Sequence, residues 1–396
     1  MRPVIVVVAY NRATSLQRLL DSLSKANYPS NGEVALVISI DKSDNDAVAE
    51  VAEKIVWNYG EKILLIRQQR LGLKKHVLLC GDLTEQYGSI IMLEDDLCVS
   101  PYFYHYTENA LIYYKNDNKI AGISLYNYRI NETAQRPFEP VHDGTDVYFL
   151  QLPSSWGQAW DRAQWEEFRA WYDHGDSHIE ASDGLPANVM SWPKTSWKKD
   201  FVKYMVAKNK YFVYPRISLT TNFGDIGTHG RQKNNNVQVS LLLLKMDYRF
   251  YPIHSSLSIY DAHMEILPDI LSKFNKKLAS FDYEVDLYGT KKIEKISKEY
   301  ALTSKNCAEC LLSFSGDMKP HETCIKYDIH GDQFKLCRVS SLSAKKISLR
   351  QQFNNMLYDM PLLSKRKSMI LALFMLLNKI KKIIGLTPRN KKVKLR

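Results

Sequence analysis

From residue 3 to about 124, short β-branched runs alternate with amphipathic segments, and that alternation leaves the chain few architectures to choose from. The runs are Val4 to Val8, Val34 to Ile40, Ile63 to Ile66 and Ile90 to Leu93. Between them lie Leu16 to Leu23, Val48 to Val56 and a helical stretch around His76 to Leu83, and Tyr104 to Tyr114 follows the last. Strands that alternate with helices imply crossover connections and a mainly parallel central sheet flanked by helices, an α/β fold. Ligands of such sheets bind at the carboxyl ends of the strands. No G-x-G-x-x-G and no G-x-x-x-x-G-K-[ST] follows the first run, which counts against a dinucleotide dehydrogenase and a P-loop enzyme.

Beyond this half the texture changes. Residues 126–255 are aromatic-rich, with Trp156, Trp160, Trp165, Trp171, Trp192 and Trp197 close together; each indole is either core or a face on which a sugar ring can stack. Residues 256–340 form a C-terminal extension without a functional signal, and 341–396 a helical, basic, amphipathic tail. The net charge of +11 belongs to that tail: residues 365–396 carry eleven Lys and Arg and no Asp or Glu, and without them 43 basic residues face 43 acidic ones. A neutral body with a cationic tail argues against nucleic acid as a partner and for one local contact with an anionic surface.

The opening apolar run, Val4 to Ala9, is too short for a signal-peptide core and has no cleavage site, so it reads as a strand. No uncharged apolar stretch approaches the ~20 residues of a membrane-spanning helix. The expectation is a cytoplasmic protein, peripheral on the inner face of the cytoplasmic membrane, in which the Asn131-Glu132-Thr133 sequon is incidental. Cys80 and Cys98 read as buried free thiols. Cys307, Cys310, Cys324 and Cys337 give one C-x2-C pair and two single cysteines, for which free thiols and a structural zinc site are both open.

The sharpest local feature is Ile90-Ile91-Met92-Leu93-Glu94-Asp95-Asp96-Leu97, an apolar strand ending in three carboxylates. Like charges in a row repel, and a hard divalent cation on oxygen ligands relieves the repulsion. The bland alternative is a solvated acidic turn. The longer segment Leu93-Glu94-Asp95-Asp96-Leu97-x-Val99-x-Pro101-x-Phe103 resembles the signature of GT-A glycosyltransferases related to N-acetylglucosaminyltransferase I and of their bacterial surface-polysaccharide relatives, over roughly residues 3–230.

That resemblance implies a GT-A type nucleotide-diphospho-sugar transferase fold: residues 1–125 as donor-binding half, 126–255 as acceptor-binding and catalytic half. It implies Asp96 as ligand of Mn²⁺ (or Mg²⁺), with Asp95 and Glu94 supporting the donor. Tyr10-Asn11-Arg12 resembles the segment whose arginine reaches the nucleotide, although the animal pattern has Asp-Arg there. Asp41, ending the second strand, resembles the aspartate that accepts from uracil, and His76 the histidine approaching the donor. Ser154-Ser155-Trp156-Gly157-Gln158-Ala159-Trp160 resembles the bacterial turn where Gly157 lets backbone approach the donor sugar. In Trp192-Pro193-Lys194-Thr195-Ser196-Trp197-Lys198-Lys199-Asp200, Asp200 is the nearest candidate base for an inverting transfer. The animal enzymes place the acid directly after the tryptophan; here two lysines intervene. Asp225, Asp173 and Asp176 are the other candidates. Asn222-Phe223-Gly224-Asp225-Ile226-Gly227-Thr228-His229-Gly230 resembles a closing loop in which His229 is a candidate metal contact.

The expected function is thus a metal-dependent inverting transfer of a sugar, by analogy a hexose or N-acetylhexosamine, from a UDP-sugar to a glycan or lipid-linked glycan acceptor in surface polysaccharide synthesis. A nucleotidyltransferase is the rival enzyme, weakened because Tyr10-Asn11-Arg12 offers no Gly-rich basic loop. A catalytically silent carbohydrate-binding protein on the same fold is the rival outside enzymes.

Overall fold

The computed structural model describes residues 2–30, 33–176, 178–180, 183–225, 236–344, 349–360 and 365–383. The chain divides into two compact units, Met1–Ala344 and Lys345–Arg396.

In the first unit the β-branched runs become strands β1 (Val4–Ala9), β2 (Leu36–Ile40), β3 (Lys62–Ile66) and β4 (Ser89–Glu94). Every residue of β1 and β2 is buried, as expected of parallel strands covered on both faces. The amphipathic segments become α1 (Ala13–Ser24), α2 (Ala47–Lys54), α3 (Leu73–Gly81), α4 (Thr84–Tyr87) and, after the three-residue strand β5 (Leu97–Val99), α5 (Phe103–Tyr114). Helix α1 buries Leu16, Leu19, Leu20 and Leu23, one stripe at helical spacing.

The chain continues through β6 (Ile120–Ser124), a small hairpin of β7 (Ile130–Asn131) and β8 (Arg136–Pro137), then β9 (Val147–Leu150) and β10 (Gln158–Asp161). Next come α6 (Arg162–Trp171), α7 (Ala187–Ser191), α8 (Trp197–Ala207), β11 (Tyr211–Pro215), β12 (Thr220–Asn222) and β13 (Ile259–Tyr260). Nine strands form one sheet in the order β13-β9-β11-β6-β10-β4-β1-β2-β3. The sheet therefore crosses residue 125 without a break. Strand β10 runs antiparallel between β4 and β6, while β1, β2, β3 and β4 are mutually parallel. Helix α6 starts at a capping box: the Asp161 carboxylate accepts from Gln164 N at 2.9 Å, and Gln164 Oε1 accepts from Asp161 N at 3.1 Å.

Residues from 268 onward add α9 (Pro268–Phe274), a separate four-stranded sheet of β14 (Tyr283–Asp286), β15 (Tyr300–Thr303), β16 (Leu312–Phe314) and β17 (Phe334–Arg338), and α10 (Glu322–Lys326). All six cysteines are free thiols. The second unit contains α11 (Leu349–Asp359) and α12 (Lys365–Ile383), whose Met369, Ile370, Leu373, Met375, Leu376 and Leu377 are exposed. Among the described residues no helix is long and apolar enough to cross a membrane.

The tryptophan cluster divides. Trp160, Trp165, Trp171 and Trp197 are buried, and with Phe168, Phe201 and Phe212 they form an aromatic core between the sheet and α6 and α8; Phe168 and Phe201 lie 4.2 Å apart between ring centroids. Trp156 and Trp192 are only partly buried. Gly81 closes α3 over this core, and a Cβ there would stand 1.9 Å from the Trp165 ring. We expect Gly81→Ala to destabilise the protein by ~1–3 kcal/mol through overpacking, read as a lower urea midpoint at unchanged m-value; an unchanged midpoint would show that the indole has room to move.

Candidate active site

Parallel register decides what meets at the top of the sheet. Val8 pairs with Glu94 and Ala9 with Ile40, so the segments leaving β1, β2 and β4 emerge side by side. Together they wall a cavity of about 410 Å³ lined by Tyr10, Asn11, Arg12, Asp41, Arg70, His76, Glu94, Asp95, Asp96, Thr195 and Asp225, among others.

Arg12 bridges the acidic turn, pairing with Asp95 and, through Nη1, with Asp96 Oδ2 at 3.0 Å. The carboxylates still feel burial and one another. Desolvation, then Asp96 and Asp95, push Glu94 up to about 8 against the pull of Arg12 and Lys198. Desolvation outweighs Arg12 at Asp95 and pushes it up to about 6. Asp95 Oδ2 and Asp96 Oδ1 are buried without a hydrogen-bond partner among the described residues. Among the described residues no three His, Cys, Asp or Glu side chains are placed to hold an ion by themselves. The two orphaned oxygens nonetheless suit a hard divalent cation that draws its remaining ligands from phosphate and water, as such ions do in phosphate-bearing sites.

Opposite this turn, Asp41 is almost completely buried, and protein donors surround its carboxylate: Lys42 N at 2.9 Å, Leu71 N at 2.8 Å, Gly72 N at 3.0 Å and the Arg70 guanidinium. A carboxylate has about four lone-pair sites. Those of Asp41 hold the turn into α3, and the group they steady at the cavity is Arg70, whose guanidinium lies 3.6 Å above the Tyr10 ring centroid. Sequence reasoning missed Arg70; its only signal was a second arginine three residues after Arg67, past the end of β3. His76, on α3, is buried and shares a 2.7 Å hydrogen bond with Ser39 Oγ. Burial first, then Arg67 and Arg70, hold its imidazole down at about 4.

The other candidates divide between the cavity and its surroundings. Asp200, in the first turn of α8, is buried in a 2.5 Å ion pair with Lys74 of α3 and is not among the residues lining the cavity. Burial raises its carboxyl even though Lys74 opposes the rise. Gly157 has φ +95° and faces β12, where a Cβ would come within 2.8 Å of Thr220 Cγ2; the close approach it permits is to protein rather than to the cavity. Asp225 does line the cavity, held by Arg18 and by Ser15 Oγ at 2.7 Å, hydrogen bonds that lower its carboxyl despite burial. It gets there because β12 pairs with β5 and Phe223 N donates to Asp96 O at 3.1 Å. Asp173 pairs at 3.3 Å with Arg169 on α6 and does not line the cavity; the Asp176 side chain lies outside the described ones. His229 lies outside the described residues.

Residues 4–155 match the model of the family described as glycosyl transferase family 2. Over 236 residues the chain is 25% identical to an alpha-1,3-mannosyl-glycoprotein 2-beta-N-acetylglucosaminyltransferase of Arabidopsis thaliana, an alignment covering 57% of this chain and 47% of that protein. The resemblance read from the acidic turn is therefore shown, and the chain spans about half the length of this curated relative. Solved structures with similarity include S. aureus TarS 1-349 in complex with UDP-GlcNAc, at 12% identity and TM-score 0.36 over 58% of this chain and 60% of that one. Another is the mannosyltransferase PcManGT from Pyrobaculum calidifontis in complex with GDP-Man and Mn²⁺, at 14% identity and TM-score 0.33 over 55% and 58%.

The depressed His76 carries a pH consequence. In the unfolded chain the imidazole takes up a proton near 6.5, whereas in the fold it stays neutral down to about 4. The unfolded state binds more protons between those values, so this residue's contribution to stability is present above 6.5 and is lost as the pH falls towards 4. We expect His76→Gln to flatten the decline in denaturant midpoint between pH 7 and pH 4.5; parallel declines in variant and wild type would dismiss the effect.

Proposed function

We propose that the protein is a metal-dependent, inverting glycosyltransferase that carries a sugar from a UDP-sugar to a glycan acceptor in surface polysaccharide synthesis. The observation that carries this reading is the meeting of Arg12 with Asp95 and Asp96 at the end of β4, where two buried carboxylate oxygens lack partners among the described residues. The likeness of residues 4–155 to glycosyl transferase family 2 supports the reaction class.

Asp96 would hold a divalent ion, Mn²⁺ or Mg²⁺, with Asp95 in support, and the ion when bound supplies Lewis-acid stabilisation of a diphosphate leaving group. The chain's own groups do the rest. Arg12, relieved of some of its duty to the carboxylates, offers its guanidinium to a phosphate oxygen. Tyr10 with Arg70 gives a flat, cationic face against which a nucleobase stacks. Neutral His76 adds no charge near the donor and, through Ser39, keeps α3 against β2. Inversion needs one displacement at the anomeric carbon: a carboxylate takes the acceptor hydroxyl's proton, the oxygen forms the new bond, and the diphosphate leaves with the electron pair.

The proposal extends to α12. Its exposed Met369, Ile370, Leu373, Met375, Leu376 and Leu377, with Lys365, Arg366, Lys367, Lys379, Lys381 and Lys382 on either side, suit an interfacial helix on an anionic bilayer, where each cation near the surface adds on the order of 1 kcal/mol. A lipid-linked acceptor would suit an enzyme held there.

Calorimetry of UDP-sugar binding with and without Mn²⁺ tests the site. Asp96→Ala should abolish the Mn²⁺-dependent binding, and Asp95→Asn should weaken it by ~10- to 100-fold; an Asp96→Ala protein that keeps wild-type affinity and Mn²⁺ response refutes the reading. For the tail, liposome flotation of the full chain should depend on anionic lipid and disappear on truncation after Ser364. Equal flotation with neutral vesicles would rule out the electrostatic contact.

A further inference from the structure

A second cavity, of about 370 Å³, lies on the other side of the 192–196 turn, lined by Tyr126, Tyr128, Glu132, Trp156, Asn188 and Trp192 among others. The two cavities share that turn, which lends Trp192 to one and Thr195 to the other. Here are the two tryptophans of the cluster that the core does not absorb. Their placement is built: Tyr126 packs edge-on to Trp156 at 4.6 Å between centroids, and Lys198 stands behind the rings, with Nζ 5.6 Å from the Trp156 centroid and 4.9 Å from that of Trp192. Lys198 is buried and donates to Tyr128 Oη at 2.8 Å. Burial lowers the proton affinity of its ammonium, and Glu132 of this cavity and Glu94 of the first both oppose that. Asn188 is oriented by Thr133 Oγ1 at 2.5 Å, and Glu132 projects from the turn between β7 and β8.

Indole and phenol faces set beside amide and carboxylate groups match the chemistry of a pyranose, whose C–H face is apolar and whose rim is a ring of hydroxyl donors. Among the described residues lining the cavity, Glu132 alone carries a full charge. It favours hydroxyl donors and repels an acid in a partly desolvated setting. We propose that this cavity binds an uncharged pyranose of the acceptor glycan, stacked on Trp156 and Trp192 with a hydroxyl donated to Glu132, and that it rejects uronic-acid and phosphorylated sugars. The assignment rests on the transferase reading and supplies its acceptor side.

Saturation-transfer NMR on the full chain, with excess UDP and Mn²⁺ present, tests it with methyl β-glycosides of glucose, galactose and N-acetylglucosamine against glucuronic acid. At least one neutral glycoside should bind wild type, glucuronic acid should not, and Trp156→Ala or Trp192→Ala should each weaken binding by roughly two- to tenfold. Glu132→Gln, an isosteric change that removes only the charge, should weaken the neutral sugar and admit glucuronic acid. Asp96→Ala should leave glycoside binding intact, so a failure of the donor-site reading is separable from a failure here. The assignment falls if no neutral glycoside binds, if the tryptophan variants bind as wild type does, or if wild type takes glucuronic acid equally well.

Discussion

Arg12 lying against Asp95 and Asp96 is the contact around which the mouth of the sheet is organised. Carboxylates crowded at the end of a buried strand cost several kcal/mol each unless something compensates them. The fold answers from three directions: the Arg12 guanidinium, the raised proton affinity of Glu94, and the ammonium of Lys198. None of this is local to the acidic turn. It depends on β1 and β4 being paired so that Val8 faces Glu94, which brings a residue from the start of the chain level with residues some eighty positions later.

Much of this could be read in the amino-acid sequence. Parallel strands buried on both faces are dominated by apolar residues, and β1, β2 and β4 are, with Ser39 the one polar residue inside β2; the polar residues at their ends, Asn11-Arg12, Asp41 and Glu94 to Asp96, line the cavity. What resisted reading were properties set by partners distant in sequence. Strand β10 is four residues long, too short for a periodicity to speak, and its antiparallel place between β4 and β6 follows from packing Trp160 into the core. Asp200 is the nearest acid after Trp197 in the sequence, and the lysine that pairs with it, Lys74, comes from α3, far away along the chain. Asp41 likewise gives its oxygens to the turn at Arg70–Gly72, which no spacing rule announces.

The tryptophans make the same point. Six indoles in one stretch are indistinguishable as letters, and only three-dimensional packing separates four that fill the core from two that edge a cavity. Lys198 occupies the position directly after Trp197 where the resembled animal enzymes carry an acid. Its burial among Tyr128, Trp156 and Trp192 makes it a support for aromatic faces, with a charge that both neighbouring glutamates feel.

The interposed β10 also bears on how the molecule is made. Until residues 158–161 leave the ribosome, β4 has β1 on one flank and nothing on the other, so the strand that ends in the acidic turn is an open edge of apolar residues. Such an edge invites pairing with other chains. The stretch matching the family model stops at residue 155, three residues short of the strand that covers it. A fragment cut at that boundary would carry every carboxylate of the acidic turn and still leave β4 without the strand that covers its second flank.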